Sequence, residues 1–167
     1  MEQIRKEQDW NQVEEIELVY KTNVKASQRP VIKDSYDAYQ LLLANWDLNT
    51  IDLQEESKVI LLNQANKVLS LYSVSKGGIT GTVMDPRLIF VAALKRGACN
   101  IILSHNHPSG NLKPSLADEQ LTLKLKEAGK LLDIKICDHI IISSEGYYSL
   151  ADQGLLQPFF YALVRSQ

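Results

Sequence analysis

Apolar residues recur along the chain with two different periods, and these periods predict strands interleaved with helices. Apolar and charged residues alternate over 16–20, which indicates a half-buried strand that follows a flexible segment at 1–13. Elsewhere apolar residues recur every three or four positions after residues suited to start a helix, which indicates amphipathic helices. The predicted helices cover 35–46 after Asp34 or Ser35, 87–96 between Asp85-Pro86 and Gly97, and a third stretch from Ser115 to about Leu132.

Runs rich in β-branched and other apolar residues predict the strands of a sheet. These predicted strands are 59–62 and 68–74 as a hairpin across 63–66, then 101–103, 134–137 with 139–142, and 147–150. Because strands and helices interleave, we predict an α/β fold with a mixed β-sheet flanked by helices. The strands and helices are expected to form a single domain over 14–167.

Three groups of apolar residues carry expectations about packing. The apolar side chains of the second predicted helix are expected to lie against the sheet; they are Leu88, Ile89, Val91, Ala92 and Leu94. Cys99 and Cys137 lie in apolar, strand-like surroundings with no CxxC pair, so we expect buried thiols rather than a disulfide or a thiolate metal site. The closing segment 155–164 is apolar enough either to dock on the domain or to form a homodimer contact.

Composition and charge place the chain among ordinary globular domains. The 167 residues are 45% hydrophobic and 23% charged, with a formal net charge of −2 and therefore no basic surplus for nucleic acid. Lys124, Lys126 and Lys130 are interpreted as a solvated helix face. The first residues contain no apolar leader, and no run approaches the roughly 18 apolar residues of a membrane span. We therefore expect a cytoplasmic protein that does not associate with a membrane.

A small group of residues past the middle of the chain suits a metal ion. His105 and His107 stand two apart after an apolar strand, so both imidazoles project from one face. Asp118, on the first turn of the third predicted helix, can supply a third ligand, and three protein ligands leave a fourth position on a catalytic zinc ion for water. Ser115 and Asp118 also fit a capping box, in which each side chain satisfies a backbone donor. Both interpretations of Asp118 are open at this point.

The same residues carry a resemblance to a known family. His105-Asn-His107-Pro, followed by Ser115 and Asp118, is similar in every spacing to the JAMM motif, HxHPx6SxxD, of JAB/MPN metallopeptidases. The stretches 81–94 and 138–142 resemble the RadC-like branch of that family, and the likeness extends over about 14–156. The resemblance implies the JAB/MPN fold, a cytidine-deaminase-like sandwich, and a Zn2+ cofactor held by the two histidines and the aspartate.

The resemblance also implies an activity and the residues that perform it. The chain is expected to be a zinc-dependent hydrolase that uses a metal-activated water to cleave peptide or isopeptide bonds of an unknown protein substrate. Glu55 is implied as the general base and Ser115 as a donor to the oxyanion, whereas a register different by one residue would put Glu56 in place of Glu55. His139 is interpreted as a hydrogen-bonded structural histidine outside the ligand set, and Ser104 as a candidate partner of an imidazole.

Two other functions stay open from the sequence. The RadC resemblance suggests a DNA-repair-associated protein that acts on or with nucleic acid, without peptidase activity. The charge pattern gives that role no support, and we find no counterpart of the helix-hairpin-helix region that longer RadC proteins carry. The other alternative is a binding module with a structural metal. Three ligands beside a suitable base disfavour it, because structural zinc sites normally close with four protein ligands.

Overall fold

A computed structural model describes residues 22–77 and 84–156 of the chain. Within these ranges five strands and three α-helices follow a short 3-10 helix at Ala26–Gln28. In chain order they are α1 (Ser35–Ala44), β1 (Glu56–Leu62), β2 (Val68–Lys76), α2 (Pro86–Arg96), β3 (Asn100–Asn106), α3 (Leu116–Lys130), β4 (Lys135–Ile142) and β5 (Tyr147–Ser149). The predictions for 1–13 and 16–20, and for most of the closing segment 155–164, lie outside the described residues.

The five strands form one sheet in the order β2-β1-β3-β4-β5. β3 and β4 run parallel while the other neighbours are antiparallel, so the predicted α/β fold with a mixed sheet is confirmed. The predicted hairpin is formed by β1 and β2, and its turn holds Asn66 at a φ of 55°, which asparagine tolerates better than most residues. The segments predicted as 134–137 and 139–142 form the single strand β4, whose register against β3 shifts after Ile101 and skips Cys137.

Helices cover both faces of the sheet, and the core therefore has two halves. On the face covered by α2 and α3, the buried side chains include Val59, Leu61, Ile101, Leu103, Ile136, Ile89, Phe90, Ala93 and Leu125. On the face covered by α1, they include Ile60, Leu62, Ile102, Ile140, Ile142, Ala38, Leu42 and Trp46. Successive strand residues point to opposite faces, so odd-numbered residues of β1 and β3 lie toward α2 and α3.

The prediction for the inner face of α2 is partly wrong. Ile89 is buried as expected, but Leu88, Val91 and Leu94 are 46%, 61% and 57% exposed. With a turn every 3.6 residues or about 100° per residue, these three residues lie on the side of the helix opposite the buried Ile89 and Ala93. Apolar residues surround this helix, so their spacing could not distinguish its inner face from its outer face.

The helices begin at or next to the predicted residues, but α1 ends at Ala44 rather than at 46 and α3 at Lys130 rather than near Leu132. Asp34, rather than Ser35, caps α1, because its side chain accepts a hydrogen bond from the Asp37 N–H at 2.9 Å. Asp85 caps α2 in the same way, and Gly97 ends it in the left-handed conformation, with a φ of 61°. The longest helix in 22–77 and 84–156, α3, has 15 residues, and no helix there combines the length and apolarity needed to cross a bilayer.

Two expectations about exposure need correction. Cys99 and Cys137 are free thiols as expected, but both are half-buried rather than enclosed in the core. Burial raises the pKa of Cys137, so its thiol stays protonated at neutral pH. The lysine row on α3 is not uniformly solvated, because the Lys126 ammonium donates to the Leu156 carbonyl at 2.5 Å and its side chain is half-buried.

Candidate metal centre

The end of β3 and the start of α3 bring two histidines and a carboxylate together. His105 is 1% exposed and stands opposite Ser57 of β1 in the sheet. His107 directly follows β3, and its backbone N–H donates to the Ile142 carbonyl at 3.0 Å. Asp118 lies in the first turn of α3. One ligand atom from each of His105, His107 and Asp118 lies within 4.8 Å of the others, so the structure brings together the residues that the sequence singled out.

The distances within this group suit a small divalent ion. Two ligand atoms bound at roughly 2.0–2.1 Å to one tetrahedral zinc stand about 3.4 Å apart. The Nε2 atoms of His105 and His107 are 2.9 Å apart, His105 Nε2 is 3.4 Å from Asp118 Oδ1, and His107 Nε2 is 3.9 Å from Asp118 Oδ2. These distances lie on both sides of the ideal spacing. The nitrogen and oxygen donors therefore fit zinc, or another first-row divalent ion, with only small movements.

The Asp118 carboxylate serves the helix start with one oxygen and faces His105 with the other. Its Oδ2 accepts hydrogen bonds from the Ser115 backbone N–H at 2.7 Å and from the Ser115 hydroxyl at 2.6 Å. The Asp118 N–H donates back to Ser115 Oγ, which completes the predicted capping box. Asp118 Oδ1 is the oxygen nearest His105 Nε2. The two interpretations of Asp118 are therefore compatible, and the cap holds its carboxylate in the orientation that a metal ligand needs.

Electrostatics keep His105 and Asp118 in the protonation states that bind metals. Burial disfavours the imidazolium of His105 and lowers its pKa to about 4, although the nearby Asp118 partly opposes this shift. For Asp118, burial opposes ionisation, but His105 and the hydrogen bonds from Ser115 outweigh it and lower the pKa. At neutral pH the pair is a neutral imidazole and a carboxylate, and metal binding needs no proton to be removed from either.

The second ring nitrogen of each candidate histidine ligand is hydrogen-bonded away from the site. His107 Nδ1 lies 2.5 Å from the Asn111 carbonyl, which only accepts, so this nitrogen carries the proton. His105 Nδ1 lies 2.8 Å from His139 Nε2, and His139 Nδ1 lies 2.6 Å from Thr122 Oγ1. His139 is thus outside the metal-binding group and hydrogen-bonded, in agreement with the sequence interpretation. Thr122 was not singled out, because its contact depends on how α3 packs against β4.

Ser104 does not have the role suggested from the sequence. Its hydroxyl donates to the Lys58 carbonyl at 2.9 Å. Adjacent residues of a strand project to opposite faces, so Ser104 points away from the face that holds His105. The suggested hydrogen bond from Ser104 to an imidazole is therefore wrong.

The position of Glu55 in the chain puts it on the same side of the sheet as the candidate metal group. It directly precedes β1 and stands two residues before Ser57, which pairs with His105, so Glu55 and His105 share a face of the sheet. Glu55 also lines a cleft of about 390 Å³ together with His107 and Ser115. The structure thus places the two residues implied as catalytic, Glu55 and Ser115, beside the candidate ligands.

Glu56 points to the opposite face and takes part in a charged cluster there. Its carboxylate lies 2.8 Å from the Lys76 ammonium and 3.6 Å from the Lys58 ammonium, and Lys58 lies over the Trp46 ring. Glu56 is itself buried among these groups. A register different by one residue would exchange the two glutamates, so this geometry favours Glu55 as the base.

Asn106, which the sequence did not mark as functional, ties the segment before β1 to β3. Its Oδ1 accepts from the Glu56 N–H at 2.7 Å, and its Nδ2 donates to the carbonyls of Ile51 and Gln54 at 2.5 and 3.0 Å. Its side chain is completely buried. Because Glu55 lies between Gln54 and Glu56, Asn106 fixes the backbone that carries the candidate base. The available sequence signal was a polar residue at the end of an apolar strand.

Sequence comparisons agree with this fold. The sequence model of the family described as RadC-like JAB domain matches residues 32–155. Proteins named UPF0758 protein are similar to the chain. One from Flavobacterium johnsoniae is 54% identical over 101 residues, which cover 60% of this chain and 44% of that protein. Another from Porphyromonas gingivalis is 48% identical over 104 residues, which cover 62% and 46%, and one from Rubrobacter xylanophilus is 37% identical over 131 residues, which cover 77% and 55%.

The chain belongs to the RadC-like JAB domain family, because the match includes all the described strands and the three candidate ligands. The resemblance inferred from the HxHP, Ser115 and Asp118 pattern is thereby confirmed. The chain spans about half the length of the curated relatives it matches. Family membership establishes the domain, whereas the reaction has to be argued from the residues of the site.

Proposed function

We propose that this domain is a metal-dependent hydrolase, with zinc as its ion, that cleaves peptide or isopeptide amide bonds. The observation that carries the proposal is the convergence of His105, His107 and Asp118 next to a cleft that His107 and Glu55 line. Three protein ligands leave a coordination position for water, as in catalytic zinc sites rather than structural ones.

Each residue at the cleft has a definite task in the proposed reaction. When bound, the ion supplies a Lewis acid that polarises the amide carbonyl and lowers the pKa of water toward about 7. The Glu55 carboxylate accepts the proton of the attacking water and delivers it to the leaving nitrogen, which departs as an amine. Ser115 Oγ holds Asp118, and to donate to the oxyanion its hydroxyl has to turn from Asp118 Oδ2 toward the cleft.

The cleft suits an extended protein segment better than a nucleic-acid backbone. Its described lining consists of Glu55, His107, Pro108, Ser109, Asn111, Lys113, Pro114 and Ser115. Lys113 is the only lysine or arginine in that lining, and the Glu55 carboxylate would repel a phosphate. Binding of a phosphodiester backbone relies on several cations, each of which neutralises a phosphate. An amide substrate does not need such charge neutralisation.

Metal analysis of the wild-type chain and of one double variant tests the site itself. The purified full chain should hold about one zinc per molecule, as expected of a single catalytic centre. The double variant His105→Ala, Asp118→Ala should lose the metal, since it retains only one of the three ligands. Full metal content in the double variant would show that the ion is held elsewhere and would overturn the assignment.

A comparison of the two glutamates tests the proposed base. Glu55→Gln should keep the metal and slow cleavage by roughly 10² to 10⁴, the usual contribution of a general base. Glu56→Gln is the matched control, because Glu56 ion-pairs with Lys76 on the opposite face of the sheet, and it should keep both metal and cleavage. Loss of cleavage in the Glu56 variant alone would mean that the register is wrong.

Side-by-side substrates test the class of bond. Isopeptide-linked fusions and peptides should be cleaved by the wild-type chain and not by Glu55→Gln, whereas single-stranded and branched DNA should stay intact. Cleavage of DNA without cleavage of any amide would overturn the peptidase proposal and favour the DNA-repair-associated alternative.

A further inference from the structure

We propose that Thr122 and His139 are positioning residues that fix the tautomer and ring orientation of His105, so that its Nε2 is ready to bind the metal. The inference concerns the metal centre and rests on the metal-binding part of the proposed function, not on the cleavage reaction. Thr122 comes from α3, His139 from β4 and His105 from β3. Their side chains form one hydrogen-bonded chain with distances of 2.6 and 2.8 Å, and each residue is at most 1% exposed.

The backbone carbonyl of Asp118 determines which atoms donate and which accept in this series of hydrogen bonds. The Thr122 hydroxyl lies 2.6 Å from the Asp118 carbonyl oxygen, which only accepts, so the single hydroxyl proton of Thr122 is used there. Thr122 Oγ1 must then accept at its contact with His139 Nδ1. The proton of His139 is therefore on Nδ1.

The protonation of His139 in turn determines which nitrogen of His105 carries the proton. Nδ1 and Nε2 of His139 contact Thr122 and His105, which are both uncharged, and His139 has no exposed surface. A second proton on its ring would bury a cation without a carboxylate in direct contact, which is costly. His139 Nε2 thus presents a lone pair, and His105 Nδ1 donates to it. The remaining lone pair of His105 is on Nε2, the atom that lies 3.4 Å from Asp118 Oδ1.

This arrangement links two of the three candidate ligands. It starts at the main chain of Asp118 and ends at the side chain of His105, so the position of α3 and the ring of His105 are set together. Partners of the second ring nitrogen orient metal-binding histidines and strengthen them as ligands, and losing such a partner typically lowers metal affinity by roughly 10- to 100-fold. A purely space-filling role for Thr122 and His139 predicts lower stability with unchanged affinity per folded molecule.

Zinc affinity of the folded full chain, measured by competition with a chelator at neutral pH, separates these two roles. Thr122→Val keeps the shape and removes the hydroxyl, and it should weaken zinc binding by about tenfold, at the lower end of the usual effect. Thr122→Ser restores the hydroxyl and should bring the affinity back to within about twofold of wild type. His139→Phe should weaken binding by roughly 10- to 100-fold.

A matched control and a metal-free readout complete the test. The control is Thr50→Val, which removes a hydroxyl that also contacts a backbone carbonyl, that of Asp47. Thr50 does not belong to the hydrogen-bonded series from Asp118 to His105, so this variant should leave zinc affinity unchanged. Nitrogen NMR of the metal-free protein should show His105 protonated on Nδ1 in the wild type and Thr122→Ser, and a mixture of tautomers in Thr122→Val. His105 protonated on Nε2 in the wild type, or wild-type affinity in folded Thr122→Val, would overturn the proposal. Zinc binding with these effects but no cleavage of any amide would refute only the hydrolase proposal.

Discussion

The substitution Asn106→Leu tests whether the segment before β1 is held to β3 by one side chain. Leucine has a similar volume, so the change removes three hydrogen bonds, to Glu56 N–H and to the carbonyls of Ile51 and Gln54, without leaving a large cavity. Each bond contributes about 1 kcal/mol net, and a buried group left unpaired costs about 1–3 kcal/mol. The free energy of unfolding should therefore fall by at least about 3 kcal/mol.

Urea unfolding of the metal-free protein, followed by circular dichroism, measures this loss. The transition midpoint should move to lower urea while the slope stays constant, because the surface exposed on unfolding hardly changes. Asn100→Leu on the same strand is the control, since one of its two side-chain hydrogen bonds is exposed, and it should cost below about 1 kcal/mol. A loss below about 1 kcal/mol for Asn106→Leu would refute the role of Asn106, since three buried bonds cannot contribute so little.

Three further predictions concern acid, the α3–β4 junction and zinc. Burial lowers the pKa of His105 from 6.5 to about 4, so between these pH values the unfolded metal-free chain binds more protons than the folded one. The free energy of unfolding should therefore fall as the pH drops from about 6.5 to about 4, by about 3 kcal/mol from His105 alone. Urea titrations that show constant stability over this pH range would contradict the prediction. Gly129→Ala places a Cβ against the Ile134 carbonyl and should cost about 1–3 kcal/mol, whereas Gly146→Ala meets only ordinary contact and should cost less. Zinc at 100 times its Kd should raise the free energy of unfolding by about 2.7 kcal/mol in thermal or urea unfolding, an effect expected to vanish in His105→Ala, Asp118→Ala.

Strand periodicity made the central part of the site predictable. His105 and His107 are two residues apart at a strand end, and side chains two apart share a face, so the sequence placed them together. Ser57 pairs with His105, so by the same rule Glu55 lies on the face of the sheet that holds His105 and Glu56 lies on the opposite face. The sequence left this choice dependent on the register, because it shows the period of a strand but not the residue opposite.

Periodicity along the sequence does not predict contacts between elements that are distant in sequence. Thr122 contacts His139 because α3 packs against β4. The register shift beside Cys137 also affects which residues of β4 point toward α3. The outer face of α2 was missed for a related reason. Its apolar residues surround the helix, so only the position of the sheet separates buried Ile89 from exposed Val91.

In two pairs of adjacent residues at this site, one residue belongs to the candidate site on one face of the sheet and the other holds the backbone from the opposite face. Glu55 and His105 lie on one face of the sheet, while their neighbours Glu56 and Asn106 lie on the other face, where the Glu56 N–H donates to the Asn106 side chain. The candidate base and the candidate ligands are thus held from behind by residues that never touch the ion. It follows that substitutions of Glu56 or Asn106 should act mainly on stability, whereas substitutions of Glu55 or His105 should act on turnover or metal binding. A site built in this way keeps its chemical groups in place because their immediate neighbours in sequence are fixed.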